Sequence, residues 1–321
     1  MAVYTDVSAE DLGAFLAAYD LGGLLSFKGI AEGVENSNFL IETERGRYIL
    51  TLYEKRVKVD DLPFFLGLMG HLADRGITCP LPVKAHDGKA LRTLCGRPAA
   101  IVTFLEGVSY RRPTPVQCAA LGDVLGRLHE AGKGFSIHRE NALSVQGWRP
   151  LAEAAASRAD TVAPGLGAAI ARELEELEGH WPRSLPQGVI HADLFPNNTL
   201  FVGDTLSGVI DFYFACNDAL AYDLAICLNA WCFEADFSFN LTKGRAMIAA
   251  YRARRPLNGA EIEALPVLCR GAALRFLLTR LVDWLNVPPG ALVRPLDPLE
   301  YWKKLRFHQS VDDASAYGLA L

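Results

Sequence analysis

The chain has 321 residues, of which 50% are hydrophobic and 21% are charged. This length and composition exclude bulk disorder and predict about two domains, or one domain with two lobes, around a substantial core. The formal net charge of −5 and the lack of a basic stripe argue against nucleic acid as a partner.

The chain up to residue 104 is predicted to form a mostly antiparallel sheet with one inserted helix. Ser8 is a suitable N-cap for the opening helix, and the Glu-Arg-Gly sequence at 44–46 indicates a hairpin between two β-like runs. In chain order the predicted elements are a helix over 8–19, strands over 38–43 and 47–53, a helix over 60–76, and strands over 90–94 and 99–104.

The remaining chain, 105–321, is predicted to be mainly helical with a short β element inside it. An amphipathic helix opens at Pro115 after Thr114, which is a favoured position for proline. The predicted helices cover 115–131, 168–177, 218–233, 243–254, 261–268 and 272–286. We therefore expect an α+β fold with a β-rich lobe over 1–104, a helical lobe over 105–321, and a small-molecule site in the cleft between them.

The chain has seven cysteines, an odd number, which are scattered along it and form no CxxC motif. This usage is typical of reduced, buried thiols in a cytoplasmic protein. The longest apolar region, 213–233, contains two aspartates, which a membrane span would not readily tolerate. The N-terminal residues include no basic segment followed by an apolar one, so we expect no secretory signal.

The segment 191–211 carries the sharpest chemical signal. It contains His191, Asp193 and Asn198, then short apolar runs over 199–202 and 208–210 that predict a hairpin, and then Asp211. If the turn centres between residues 204 and 205, Asn198 lies opposite Asp211, and another loop length shifts this pairing by one or two residues. An amide oxygen beside a carboxylate suits Mg²⁺, with room left for phosphate and water.

This order of residues is the layout of a kinase catalytic loop, in which one aspartate meets a substrate hydroxyl and a later Asn and Asp bind metal. Asp193 takes the first role, and His191 is better suited to orienting the loop than to acting as a base. The Arg of protein kinases is missing after His191, and Asp211 is followed by Phe-Tyr. The loop therefore resembles that of the aminoglycoside phosphotransferase and choline kinase superfamily, which has a protein-kinase-like fold.

The resemblance implies ATP as cofactor and suggests further residues. Asp223 matches an aspartate that holds the catalytic loop by hydrogen bonds, although a helix N-terminus also favours an aspartate. The segment 28–38 resembles the turn that covers the phosphates, and its glycines also fit an ordinary turn. The candidate nucleotide-binding residues are Gly33, Asn36, Ser37 and Asn38 in this segment, Thr51 on the following strand, and Phe104 and Leu105 at the hinge, where backbone groups would pair with adenine.

Thr51 occupies the position at which this superfamily usually has a lysine. A threonine cannot neutralise phosphate charge. The sequence leaves several replacements open, namely Arg47, Lys55, Lys28 or a fuller metal site. The acidic partner of the usual lysine is equally open, with the aspartates at 60–61 in the right region.

The whole chain resembles the homoserine kinases of the aminoglycoside phosphotransferase type, through the segments 48–54, 61–69, 191–198 and 273–284. Thr51 is then a family trait. The resemblance implies ATP-dependent phosphorylation of the side-chain hydroxyl of L-homoserine, a step in threonine biosynthesis. The residues by themselves indicate a kinase of a small-molecule hydroxyl.

Homoserine is a zwitterion, so its site requires groups of both signs. An arginine fork suits the carboxylate, and Arg275 or Arg280 can supply it. Asp218, Asn217 or Asp283 can hold the ammonium. The same arginines also fit a structural ion-pair set on one helix.

Two other functions remain open at this stage. One is a kinase of another alcohol, such as an aminoglycoside, which would favour an acidic cleft, choline, which would favour an aromatic box, or methylthioribose. The other is a non-catalytic nucleotide-binding pseudokinase, suggested by the missing lysine. The sequence carries no signal for an oligomeric state.

Overall fold

A computed structural model describes residues 5–30, 36–54, 57–287 and 295–319. The first part of the chain is a five-stranded sheet in the order β1-β2-β3-β5-β4, and all neighbouring strands in it are antiparallel. Its elements are α1 (Ala9–Leu16), β1 (Leu24–Ile30), β2 (Ser37–Thr43), β3 (Gly46–Leu52), α2 (Leu62–Ala73), β4 (Leu91–Leu94) and β5 (Arg97–Thr103).

The second part is mainly helical, as predicted. Two short strand pairs, β6 with β9 and β7 with β8, lie within it. Its elements are α3 (Pro115–Ala131), α4 (Val145–Ala156), α5 (Ala159–Val162), α6 (Leu166–His180), β6 (Gln187–Ile190), β7 (Thr199–Val202), β8 (Thr205–Val209), β9 (Cys216–Ala219), α7 (Leu220–Trp231), α8 (Leu241–Arg254), α9 (Gly259–Leu285) and α10 (Pro298–His308).

The two faces of the sheet have different partners, because successive side chains of a strand point to opposite sides. One face packs under α1 and contains Phe39, Ile41, Leu50 and Ile101. The other face meets the helical part, whose core cluster includes Ala100 and Val102. The strand register puts Thr51 on this second face, between Asn38 and Ala100.

Several predicted elements differ from the observed ones. The predicted helices over 261–268 and 272–286 are one helix, α9, which continues through Pro266, because its surroundings in the core outweigh the lost hydrogen bond. The predicted helix over 218–233 begins only at Leu220, because residues 216–219 form β9. The elements that were not predicted are the edge strand β1, the short strands β6 and β9, and the helices α4, α5 and α10.

The cysteines agree with the expectation of free thiols. All seven lie in the described ranges and none forms a disulfide; six are buried and Cys95 is exposed. Within those same ranges, no helix has the length and apolar character that crossing a bilayer requires.

Helices α3 and α8 approach each other at glycines. A Cβ atom added at Gly122 would lie 2.2 Å from the backbone oxygen of Met247, and one added at Gly126 would lie 3.0 Å from the backbone oxygen of Tyr251. The distance at Gly122 is shorter than any real Cβ contact and the one at Gly126 is at the lower limit, so the close packing of the two helices requires glycine at Gly122 in particular.

We predict that Gly122→Ala destabilises the protein by about 1–3 kcal/mol, because the helices must separate to admit the methyl group. Urea unfolding monitored by circular dichroism measures this change. Gly70→Ala on α2 is the matched control, since an added Cβ there meets nothing within 4 Å. We expect the control to be neutral or stabilising by up to about 1 kcal/mol, as alanine favours helix. Equal effects of the two substitutions would contradict the packing argument.

Candidate active site

The loop between β6 and β7 contains a strained residue whose backbone N–H and carbonyl groups are both bound by buried side chains. Ala192 has a positive φ of 62°, which is costly for a residue with a side chain. Asp223, in the first turn of α7, accepts hydrogen bonds from the backbone N–H groups of His191 (2.8 Å) and Ala192 (2.9 Å). Arg275 from α9 donates to the backbone oxygen of Ala192. The loop therefore depends on two distant helices for its shape.

Asp223 is completely buried and is itself supported by a histidine. Burial alone would raise the pKa of Asp223, but hydrogen bonding to His129 and to the His191 N–H holds that pKa below its ordinary value. His129 Nε2 lies 3.1 Å from the carboxylate, and its Nδ1 lies 2.8 Å from the hydroxyl of Tyr251. This arrangement supports the loop-holding role predicted for Asp223.

His191 uses both ring nitrogens within the loop. Its Nδ1 accepts from the N–H of Asp193 at 3.3 Å, so its Nε2 must donate to the backbone oxygen of Ile210 at 3.0 Å. Burial lowers the pKa of His191 and favours this neutral form. With no nitrogen left for a substrate proton, His191 is suited to orienting Asp193 and the strand that leads to Asp211.

Asn198 is buried beside the half-buried Asp193. Its amide N–H group donates to the backbone oxygen of Asp193 at 2.7 Å and to the carboxylate at 3.1 Å. These two bonds fix which way the amide points, because the nitrogen faces Asp193 and the oxygen faces away. The oxygen accepts a 3.3 Å hydrogen bond from Asn197 and retains a lone pair for a cation.

The register of the β7–β8 hairpin differs by one residue from the prediction made with a turn at 204–205. The turn is centred between Gly203 and Asp204, one residue earlier than assumed, and a bulge after Leu200 then brings Thr199 opposite Val209. The backbone oxygen of Asn198 therefore accepts from the N–H of Ile210 rather than facing Asp211. Asp211 follows directly and takes a left-handed conformation with φ 65°. The amide and the carboxylate still lie at the same end of the hairpin, as predicted.

Asp211 retains access to solvent, but the protein around it is dense. This desolvation raises the pKa of the Asp211 carboxyl to about 6. No group of three or more His, Cys, Asp and Glu side chains suitable for a metal occurs among the described residues. A Mg²⁺ ion that takes one carboxylate, one amide oxygen and phosphate oxygens needs no such group, so the donor set fits Mg²⁺.

Polar side chains connect the sheet to the segment after Asp211. Thr51 donates from its hydroxyl to the Asn38 amide oxygen at 2.8 Å and lies within hydrogen-bonding range of Tyr213. The hydroxyl of Tyr213 also lies 3.4 Å from that of Tyr53. Asn38 and Thr51, both predicted to bind nucleotide, thus occur together on the face that meets the helical part.

The other predicted nucleotide residues lie in three places. Ser37 is fully buried and donates to Glu54 at 2.8 Å, and Asn36 accepts from the backbone N–H of Glu54. This geometry does not favour a nucleotide contact for Ser37. Phe104 and Leu105 follow β5 at the passage between the two parts of the chain. Gly33 lies outside the described residues.

A cavity of about 1550 Å³ adjoins the segment 213–219. Asp218 and Arg275 both line it, and an ion pair between Arg139 and Asp61 (2.9 Å) forms part of its wall. Asp218 accepts a 2.7 Å hydrogen bond from Asn141. The charged lining residues are four cations, Lys58, Arg139, Arg183 and Arg275, and four carboxylates, Asp61, Glu140, Glu178 and Asp218. Such a balance suits a ligand that carries both charges.

Arg280 does not line this cavity. Its guanidinium pairs with Glu300 at 2.7 Å, and Glu300 also pairs with Lys304 at 2.7 Å. The structure therefore separates the predicted substrate residues, with Asp218 and Arg275 together and Arg280 elsewhere on α9. Arg139 and Asn141 were missed by the sequence analysis. No local pattern marks them, because their positions depend on the α3–α4 connection folding against β9.

We predict that Asp211→Asn stabilises the metal-free protein. The folded state raises the pKa of this carboxyl from 3.8 to about 6, so its ionised form is disfavoured above pH 6. Because the Asp211 side chain is exposed, solvent screens the effect, and we expect the free energy of unfolding to rise by about 1 kcal/mol at pH 7.5. The gain shrinks as the pH falls below 6, where folded wild-type protein takes up the proton. Urea unfolding with chelator at pH 7.5 and 5 measures both effects, and a loss of stability at pH 7.5 would contradict them.

Comparison with known proteins agrees with this geometry. Residues 26–257 match the model of the phosphotransferase enzyme family. The fold is similar to that of a choline kinase from Cryptosporidium parvum, with a TM-score of 0.68 and 16% identity over 94% of each chain. This similarity confirms the expected kinase-like fold.

The sequence is similar over its full length to curated enzymes. It is 68% identical to a homoserine kinase from Azorhizobium caulinodans over 320 residues, which is 100% of each chain. A homoserine kinase from Xanthobacter autotrophicus is also 68% identical over 320 residues, with the same coverage. The protein therefore belongs to the phosphotransferase enzyme family and, within it, to the homoserine kinases.

Proposed function

We propose that this protein transfers the γ-phosphate of ATP to the side-chain hydroxyl of L-homoserine, forming O-phospho-L-homoserine in threonine biosynthesis. The 68% identity with homoserine kinases over the whole chain is the observation that carries this proposal. The arrangement of Asp193, Asn198 and Asp211 supports it, because Asn198 is bonded to Asp193 and lies at the same end of the β7–β8 hairpin as Asp211, as a phosphoryl-transfer site requires. The free thiols agree with a cytoplasmic location, which remains a prediction.

Asn198 and Asp211 would hold Mg²⁺ through an amide oxygen and a carboxylate. When bound, the ion supplies positive charge to the β- and γ-phosphate oxygens. Asp193 orients the homoserine hydroxyl toward the γ-phosphate and accepts its proton late, because the transition state is loose. His191, Asp223 and Arg275 act as positioning residues, since they bind the backbone around Asp193.

The nucleotide would lie under the sheet, against the face that carries Asn38 and Thr51. Leu40, Ile49 and Val102 share one row of this face in the strand register and offer an apolar surface for adenine. Backbone groups at Phe104 and Leu105 would pair with the base edge. In this proposal residues 1–104 form the nucleotide-binding lobe and residues 105–321 the catalytic and substrate-binding lobe.

The cavity beside the segment 213–219 favours Arg275 and Asp218 as substrate residues. Arg275 lines the cavity, so its guanidinium would lie beside a substrate carboxylate bound there; its buried Nε has no hydrogen-bond partner among the described residues. Asp218 retains acceptor capacity for the ammonium beyond the bonds it accepts from Asn141 and from the Ala219 N–H. Arg280 is a weaker candidate, because Glu300 already pairs with it.

A substrate panel with Mg-ATP tests the function. We expect turnover of L-homoserine, with large losses for 3-aminopropan-1-ol, which has no carboxylate, and for 4-hydroxybutyrate, which has no ammonium. Each analogue leaves a partly buried charged group of the enzyme without its partner. Turnover of choline, an aminoglycoside or methylthioribose in place of homoserine would contradict the proposal. Inactivity on every alcohol, with nucleotide binding intact, would indicate a pseudokinase.

We predict that Asp193→Asn lowers kcat for homoserine phosphorylation by about 10²–10⁴-fold, because the amide cannot accept the hydroxyl proton. Binding of ATP, measured by calorimetry, should be retained. Asp204→Asn, at the turn of the adjacent β7–β8 hairpin, is the control and should leave kcat unchanged. A kcat for Asp193→Asn within threefold of wild type would contradict the role of Asp193.

A further inference from the structure

The position at which related kinases carry a lysine is occupied by a residue that cannot supply charge. Thr51 is 3% exposed, and its hydroxyl is already engaged with the Asn38 amide and lies near Tyr213. The threonine therefore contributes to the contact between the sheet and the segment after Asp211. The phosphates of ATP still need positive charge besides Mg²⁺, and the protein has a net charge of −5.

Two arginines near this face are already neutralised. Arg47 pairs with Glu106 at 2.8 Å and stacks over Phe104, at the hinge end of β3. Arg139 pairs with Asp61 at 2.9 Å. The Asp61 carboxylate, a possible partner for a β3 lysine, is thus used by Arg139. Lys55 lies outside the described residues.

Lys28 differs from these cations. It lies opposite Leu40 in the β1–β2 register, and Leu40 lies opposite Ile49, so the three share a row on the face that carries Thr51. The neighbouring residue Phe27 packs toward the α1 side, as strand alternation requires. Lys28 is exposed and forms no ion pair or side-chain hydrogen bond with any residue in the described ranges.

We propose that Lys28 binds the phosphates of ATP and replaces the lysine that is missing at Thr51. The charge would move two strands across the sheet and two residues along it, about 12 Å at the usual strand spacing and rise per residue. The long, flexible lysine stem lets the ammonium cover part of this distance beneath β2. This inference rests on the proposed use of ATP, and it assigns a site for the phosphates close to β1.

Calorimetric titration with MgATP and with adenosine tests the proposal directly. We expect Lys28→Met to weaken MgATP binding at least tenfold and to leave adenosine binding unchanged, because adenosine has no phosphate. Lys28→Arg should retain most of the MgATP affinity. Lys89→Met is the matched control and should have no effect, since Lys89 is an exposed lysine on a turn that hydrogen-bonds to Ala18 just after α1, on the opposite side of the sheet. Unchanged MgATP binding in Lys28→Met would overturn the proposal.

A charge-relocation variant gives a second, independent readout. In the double variant Lys28→Met/Thr51→Lys, a lysine returns to the position used by related kinases. Recovery of part of the lost MgATP affinity would support a phosphate role for Lys28. If the double variant does not fold, the single variants still decide, because Lys28 is exposed and its substitution leaves the core intact.

The nucleotide titrations also separate this inference from the proposed function. Loss of MgATP binding in Lys28→Met, together with no wild-type turnover of homoserine, would support Lys28 and overturn the substrate. Wild-type turnover of homoserine, together with unchanged MgATP binding in Lys28→Met, would support the substrate and overturn the role of Lys28.

Discussion

The buried carboxylate of Asp223 is the contact on which the candidate active site depends. It accepts hydrogen bonds from two consecutive N–H groups, and these keep the Ala192 peptide in a conformation that is costly for a non-glycine residue. A buried charge is tolerated only when it is fully partnered, and His129 completes the set. The strain is thus maintained by the core of the helical part.

The same constraint explains why distant helices converge on one loop. Asp223 comes from α7, His129 from α3 and Arg275 from α9, and all three act on the loop that carries Asp193. Phosphoryl transfer requires little covalent chemistry from the protein and much positioning. A loop held from below by buried groups keeps the Asp193 carboxylate and the Asn198 amide in fixed positions relative to each other.

Many charged side chains of the protein are neutralised by ion pairs, and a few are left without a partner of opposite charge. Ion pairs engage Arg47, Arg97 and Arg280, whereas Lys28 and the Nε of Arg275 have no partner within the described ranges. Asp211 shows the complementary case, because its pKa of about 6 marks a carboxylate that lacks a compensating charge. A cation bound at Asp211 would compensate its negative charge, and a polyanion bound near Lys28 would compensate the charge of its ammonium.

The sequence predicts the parts of the site whose residues lie close together along the chain, and it does not predict the parts that distant segments bring together. His191, Asp193, Asn198 and Asp211 were found because they lie within one short segment, where spacing and strand pattern determine their geometry. The register of the hairpin was left open to within one or two residues, because neither the exact position of the turn nor the bulge in β7–β8 can be read from spacing. Arg139 and Asn141 had no signal at all, since they reach the cavity through the fold of a long connection.

The sequence by itself determined the fold class, the kinase-type loop and the homoserine kinase resemblance, because these reside in composition, periodicity and contiguous motifs. Only the tertiary structure decided which residues share a face or a cavity. It brought Arg275 to the Ala192 oxygen, joined Asp218 with Arg275, separated Arg280 from both, and put Lys28 on the side of the sheet that carries Thr51. These contacts arise from packing between elements that are far apart in the chain, so no local sequence pattern predicts them.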